Sequence, residues 1–195
     1  MRFVITLTAV AALAARLPAQ GATSAGNEYT QADVDFVQGM IMHHAQAVVM
    51  SDWAATHGAR ADLQILCKRI ALSQRDEITV MRRWLLDRGQ TAPDPLKMPG
   101  MAMGDDKMLM PGMLTPEEMR ALDAARDTAF DRLYLTGMIK HHEGALSMVA
   151  TLFARPGGGQ QSELFGLATD IDAGQRVEIA RMQAMLNTLT PTHSS

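Results

Sequence analysis

Apolar residues recur every three to four positions along four long stretches of this chain, the spacing of helices that bury one face. The first stretch runs from about Gln31 to His57 and meets a stop at Gly58; the second runs from about Arg60 to Arg88 and is closed by Gly89. Between Gln90 and Leu114 the rhythm breaks on Pro93, Pro95, Pro99, Gly100, Gly104, Pro111 and Gly112, which marks a linker. Thr115-Pro116-Glu117-Glu118 then restarts a helix, with threonine as N-cap, proline at the first helical position and glutamate three residues after the cap. This third helix is expected to reach about Ala154, bent or interrupted near 127–131, and to end in the loop Arg155 to Gly159. A fourth runs from about Gln161 to Leu189, with Pro191 marking a fraying tail. No alternating strand pattern competes with these elements.

The chain repeats itself. Gly39-Met40-Ile41-Met42-His43-His44-Ala45-Gln46-Ala47-Val48-Val49-Met50 returns 98 positions later as Gly137-Met138-Ile139-Lys140-His141-His142-Glu143-Gly144-Ala145-Leu146-Ser147-Met148. Gln74 to Met81 is echoed, displaced by 101, in Gln175 to Met182, and the three-residue slip falls in the glycine-rich loop. Two copies of one helical hairpin joined by a long connection predict an all-α, ferritin-like four-helix bundle. Hairpin one spans 31–88, a Met-rich linker 89–114 and hairpin two 115–189, behind a flexible lead-in at 23–30 and before a tail at 190–195.

At about 100° per residue, Phe36, Met40, His43, His44, Ala47 and Met50 share an arc of roughly 120°, as do Tyr134, Met138, His141, His142, Ala145 and Met148. The partner helices set Gln74 and Glu77, and again Gln175 and Glu178, on otherwise apolar stripes. A glutamate buried alone would cost several kcal/mol, so each needs a cation, a protonated histidine or exposure. Three arrangements answer that need. The glutamates can pair with histidines and Arg75 or Arg176 in a structural polar layer; His and Glu can surround iron or zinc; or Met and His can bind a soft ion such as Cu(I). Di-iron bundles draw on Glu-x-x-His units, which are absent, and adjacent histidines on one helix converge poorly on a closed tetrahedral zinc site.

The linker adds Met98, Met101, Met103, Met108, Met110 and Met113 within 16 residues, among too many breakers for a core helix. Thioethers so spaced can wrap a soft cation or fold back as caps on the bundle. Met42, Met119 and Met185 read as ordinary helix residues, His57 as a partner of a helix C-terminus and His193 as a tail residue. Gly39 and Gly137 are expected to permit close helix contact.

With 195 residues and 47% apolar content, one domain with one sizeable core is expected. A net charge of -3 and 5% aromatic residues offer neither a basic field nor a stacking platform, so nucleic acid is not an expected partner. Residues 1–22 read as an export signal, with Arg2, a short apolar run from Phe3 to Ala15 and small residues after it. That places the mature chain in the periplasm or outside the cell, without stable membrane insertion once the signal is removed. Oxidising surroundings suit thioethers better than thiols, and the 16 methionines contrast with one cysteine, Cys67, read as a buried small hydrophobe. No phosphate loop, nucleophile elbow, His-Glu-x-x-His or paired-cysteine motif is present.

Met-Ile-x-His-His with Ala-x-x-Met downstream, Gln-x-x-Glu-Ile-x-x-Met, and Met110 through Met119 in the linker closely resemble the domain of unknown function 305 family, from about Thr30 to Leu189. The resemblance implies a ferritin-like bundle, export from a bacterial cell and copper or silver binding. It also implies a metal role for Met40, His43, His44, Met50, Met138, His141, His142 and Met148; the reading of the residues themselves adds Glu77, Glu178 and the linker methionines as further candidates. Lys140 stands where the first copy has Met42, so two identical sites are not expected. The expected function is sequestration or transfer of copper, chiefly Cu(I), with Cu(II) or Ag(I) as other ligands, and binding rather than turnover. A di-metal oxidoreductase using iron, and a purely structural or partner-binding bundle, are the alternatives. Oligomeric state is not legible.

Overall fold

The computed structural model describes residues 28–97 and 109–189. The expected signal segment, most of the lead-in, Met98, Met101, Met103, Met108 and the tail with His193 lie outside the described residues.

Helix α1 spans Gln31–Asp52, α2 Ala61–Leu86, α3 Pro116–Ala124, α4 Asp127–Ala154 and α5 Ser162–Leu189, and no strand occurs among the described residues. Helix α1 starts on a reciprocal cap, in which the Thr30 hydroxyl accepts from the Asp33 amide at 3.2 Å and Asp33 accepts from the Thr30 amide at 2.7 Å. The other Asp33 oxygen accepts from the Gly159 amide at 2.7 Å, tying the start of α1 to the loop before α5. Thr115 caps α3 in the same reciprocal way, with Pro116 as its first residue.

Two boundaries differ from the periodicity. The first helix stops at Asp52 and passes through a short 3₁₀ turn, Trp53–Ala55, before Gly58 reverses the chain at φ 72°. The third stretch is interrupted, as expected, but slightly earlier than 127–131, because Ala125 and Arg126 are extended and Asp127 turns at φ 52°, which divides it into α3 and α4. The break is fixed by the first hairpin: the Asp127 amide donates to the His57 carbonyl at 2.8 Å. His57 is correspondingly buried, and its Nε2 bonds the Asp123 carbonyl at 2.8 Å, so it pins the end of α3 rather than capping its own helix.

The four long helices form the bundle, α1 against α2 and α4, and α4 against α5. Their apolar side chains fall into two clusters. One gathers Met50, Leu63, Leu66, Ile70, Phe130, Tyr134, Met138 and Met182; the other gathers Phe36, Met40, Ile41, Ile78, Met81, Ala145, Leu164 and Ile171. Along every long helix the change from one cluster to the other falls at the repeated motif, where the histidines and glutamines stand. The core is therefore two apolar halves with a polar layer between them. No helix among the described residues is long and apolar enough to cross a membrane.

Candidate metal centre

All four histidines of the repeated motif are fully buried, at 0% exposure. His43 of α1 and His141 of α4 face each other with ring centroids 3.8 Å apart and planes 39° from parallel. Their neighbours point elsewhere: His44 lies 6.5 Å from His43 and His142 lies 6.2 Å from His141 between centroids. The convergence is thus between helices, not along one.

His44 and His142 turn their Nε2 atoms outward. Each donates to a carboxylate of the partner helix, to Glu77 Oε2 at 2.6 Å and to Glu178 Oε2 at 2.7 Å. The glutamate side chains are 27% and 23% exposed, so each pair runs from the buried layer to the surface. The requirement that each buried glutamate find a partner is met by histidine and partial exposure together. Arg75 and Arg176 take no part, since they pair with Asp52 and Asp172. Burial raises the Glu77 carboxyl, but hydrogen bonds from His44 and Ser73 and the His44 charge bring its pKa below the ordinary value.

His43 is held differently. Its Nε2 donates to the Pro111 carbonyl at 3.0 Å, so a linker residue fixes the tautomer. Burial, and then the charge of His44, push the His43 pKa down to about 3, against the pull of the Pro111 carbonyl. Burial, followed by the charge of His43, drives His141 well below its ordinary value. Both facing rings are neutral, and a neutral imidazole offers a lone pair to a metal without first losing a proton.

Nine buried side-chain nitrogen and oxygen atoms among the described residues lack a hydrogen-bond partner, and all belong to this layer: Nδ1 of the four histidines, Nε2 of His141, and both amide atoms of Gln74 and of Gln175. Buried polar groups are ordinarily paired, and leaving one unpaired costs about 1–3 kcal/mol. With Nε2 occupied in three of the rings, Nδ1 is their free donor. An outward carboxylate or carbonyl that orients the inward nitrogen is the usual support of a metal-binding histidine.

The thioethers flank the layer. Met40, Met50 and Met138 are fully buried, and Met148 is partly so. The interhelical glycines make room for them: a Cβ on Gly39 would meet Met110 Sδ at 3.1 Å and Met148 Cε at 3.4 Å, and one on Gly137 would meet Leu114 at 3.1 Å and Met50 Cε at 3.6 Å. Gly39 and Gly137 therefore accommodate side chains rather than a neighbouring helix backbone. Met113 is buried, whereas Met42 is partly buried and lines a surface cavity with Met110 and Met113. At the position equivalent to Met42, Lys140 pairs with Glu118 of α3 at 2.8 Å. Among the described residues no three His, Cys, Asp or Glu side chains gather closely enough to hold an ion, so an ion here would draw on thioether or amide donors as well.

The linker crosses this centre as a strap. Gln46 clamps its backbone twice, accepting from the Leu114 amide at 2.8 Å and donating to the Leu114 carbonyl at 3.0 Å. The equivalent of Gln46 in the second copy is Gly144, whose bare Cα lets Pro111 and Gly112 lie directly on α4. The sequence reading missed Gln46, Gly144, Pro111 and the paired glutamines as parts of the site. The mismatch of Gln46 with Gly144 inside an otherwise matching repeat was the available signal.

Comparison with known proteins agrees with this architecture. A crystal structure of a DUF305 fragment from Deinococcus radiodurans has 31% identity and a TM-score of 0.68, covering 82% of this chain and 98% of that one. CopM in its Cu(II)-bound form has 28% identity and a TM-score of 0.62, covering 81% and 97%. CopM in its Cu(I)-bound form has 25% identity and a TM-score of 0.61, covering 83% and 98%. Comparison with curated proteins gave no match. The profile of a domain of unknown function, DUF305, matches residues 33–186, and the chain belongs to that family.

Proposed function

We propose that this chain is an exported copper-binding protein that takes Cu(I) into the histidine layer of its bundle and sequesters it or passes it on. The observation that carries the reading is that the four histidines of the repeated motif hold five buried ring nitrogens without a hydrogen-bond partner among the described residues. A chain under no demand for a ligand would fill such a layer with apolar groups at lower cost.

The donors proposed are the Nδ1 atoms of His43, His44 and His142 and either ring nitrogen of His141, no more than two of them to one ion, with Met40, Met50, Met138 and Met148 as thioether partners. Imidazole and thioether together favour a soft monovalent ion, and neither is drawn into disulfides in an oxidising compartment. Met110 and Met148 meet at Gly39, so at least one linker methionine lies beside the bundle's own thioethers. Glu77 and Glu178 act as outward supports of His44 and His142. That geometry disfavours the di-metal oxidoreductase, in which the carboxylates would turn inward and bridge. Copper-bound and silver-bound forms of CopM support the choice of metal.

The test is a competition titration of the mature chain against a chromophoric Cu(I) chelator under reducing, anaerobic conditions. The wild type is expected to withdraw copper from the chelator, and a variant with His43 and His141 both changed to leucine to withdraw far less while keeping its helical circular dichroism. Failure of the wild type to compete overturns the proposal.

A further inference from the structure

Gln74 and Gln175 occupy equivalent positions of the two hairpins, one helical turn before Glu77 and Glu178. They are 2% and 3% exposed. Each carries an amide whose oxygen and nitrogen are both buried and both without a partner. Leucine or methionine would fill either position with equal helix propensity and without the cost of about 1–3 kcal/mol for a stranded amide. The neighbouring inward residues, Ile70 and Ile78 on α2 and Ile171 on α5, show that these faces accept apolar side chains. Two stranded amides at duplicated positions, set between the same two apolar clusters as the histidines with free nitrogens, point to a ligand that can use them.

A bare Cu(I) ion held by imidazole and thioether does not. A carboxamide oxygen is a hard donor, and its NH2 group donates hydrogen bonds only, so neither end suits a soft monovalent ion. Cu(II) differs in both respects: it prefers a tetragonal set of nitrogen and oxygen donors, and it retains water. An amide oxygen can ligate it or accept from its bound water, while the NH2 group can donate to that water's oxygen.

Resting on the copper reading above, we infer that Gln74 and Gln175 supply the oxygen donors through which the same layer holds Cu(II), the thioethers serving Cu(I). The glutamines set which oxidation states the centre accepts, and the histidine nitrogens are common to both.

The experiment measures Cu(II) and Cu(I) affinities of the mature chain and of Gln74→Leu/Gln175→Leu, by chelator competition in air and under anaerobic reduction. The Cu(II) electron paramagnetic resonance spectrum of each protein is recorded alongside. The double variant is expected to lose about 10- to 100-fold in Cu(II) affinity, with changed Cu(II) hyperfine parameters and an unchanged Cu(I) affinity. Gln74→Glu/Gln175→Glu, which keeps an oxygen donor at each position, is expected to retain Cu(II). It and the two single leucine variants carry the test if the double leucine variant does not fold. Equal losses for both ions, or full Cu(II) affinity without the amides, overturn the inference while leaving the copper reading intact. A wild type that binds neither ion overturns both.

Discussion

Replacing Gly144 by alanine tests whether the strap at 109–114 is seated on α4. A Cβ at this position would stand 1.9 Å from the Pro111 carbonyl oxygen, 2.4 Å from the Pro111 carbonyl carbon and 2.7 Å from the Gly112 Cα. All three are backbone atoms, so no rotamer change relieves the overlap and the strap has to lift. Lifting breaks the bond from His43 to Pro111 and both bonds between Gln46 and Leu114, at about 1 kcal/mol each. It also uncovers Met113 and Leu114, which are 7% and 4% exposed, and burying each such side chain is worth about 1.5–3 kcal/mol when complete. Alanine regains about 1 kcal/mol over glycine as a helix former, and part of the strap burial survives a small displacement. The net expectation is a loss of about 2–4 kcal/mol. Gly174→Ala on α5 is the matched control, since nothing lies within 4 Å of its added Cβ, and it should stabilise by about 0.5–1 kcal/mol. Urea unfolding of the metal-free chain, followed by helical circular dichroism, reads both values from the midpoint and slope. The same substitution should thus carry opposite signs on two helices. A Gly144→Ala protein as stable as wild type would refute the seating of the strap and, with it, the role of Pro111 in holding His43.

Cys67 is 1% exposed, and burial pushes its thiol up to about 12, so a disulfide reagent at pH 8 should react slowly with the folded chain and at the rate of a free thiol in urea. Fast reaction in the native state would contradict its place in the core. Acid should destabilise the metal-free protein well before its carboxylates titrate. Unfolded, the His43 ring takes a proton near 6.5, but folded it resists until about 3, so the unfolded state binds more protons across that window and stability falls as pH drops through it. Melting temperatures recorded between pH 7 and pH 4 in the presence of a chelator should decline; a level profile would mean that the facing imidazoles are not neutral and dry.

The helices, the cap at Thr115 and the inward face of each copy were legible because period and capping chemistry are local, whereas Thr30, read as the end of a flexible lead-in, proved to cap α1. The interruption expected near 127–131 lies at 125–127, and its cause is not local. Ala125 and Arg126 carry no proline or glycine signal, and what interrupts the helix there is the His57 carbonyl, 70 residues upstream, taking the Asp127 amide. The same limit explains His57 itself. Beside Gly58 it reads as a terminal cap, whereas its partner is the backbone of Asp123 at the end of α3. The glutamates were legible as an anomaly, and the structure assigns their partners. Spacing could say that Glu77 needed one, but only the pairing of α1 with α2 selects His44 over Arg75.

Duplication alone would yield two equal half-centres, and the linker prevents that. Its described part, 109–114, gives the facing rings unequal partners: His43 bonds Pro111, while both nitrogens of His141 lack a partner among the described residues. The repeat has diverged where that asymmetry must be accommodated, with Gln46 gripping the strap and Gly144 making room for it. Met42 against Lys140 follows the same division, the first facing the cavity lined by Met110 and Met113, the second anchoring α3 through Glu118. Residues that break the repeat are therefore as informative about the centre as those that keep it. The conserved half of the pattern supplies donors in pairs, and the divergent half decides which of them the strap covers. An ion in this layer would meet two chemically unequal imidazoles, His43 with one nitrogen already fixed and His141 with a free choice of tautomer, so the two halves cannot bind with equal strength.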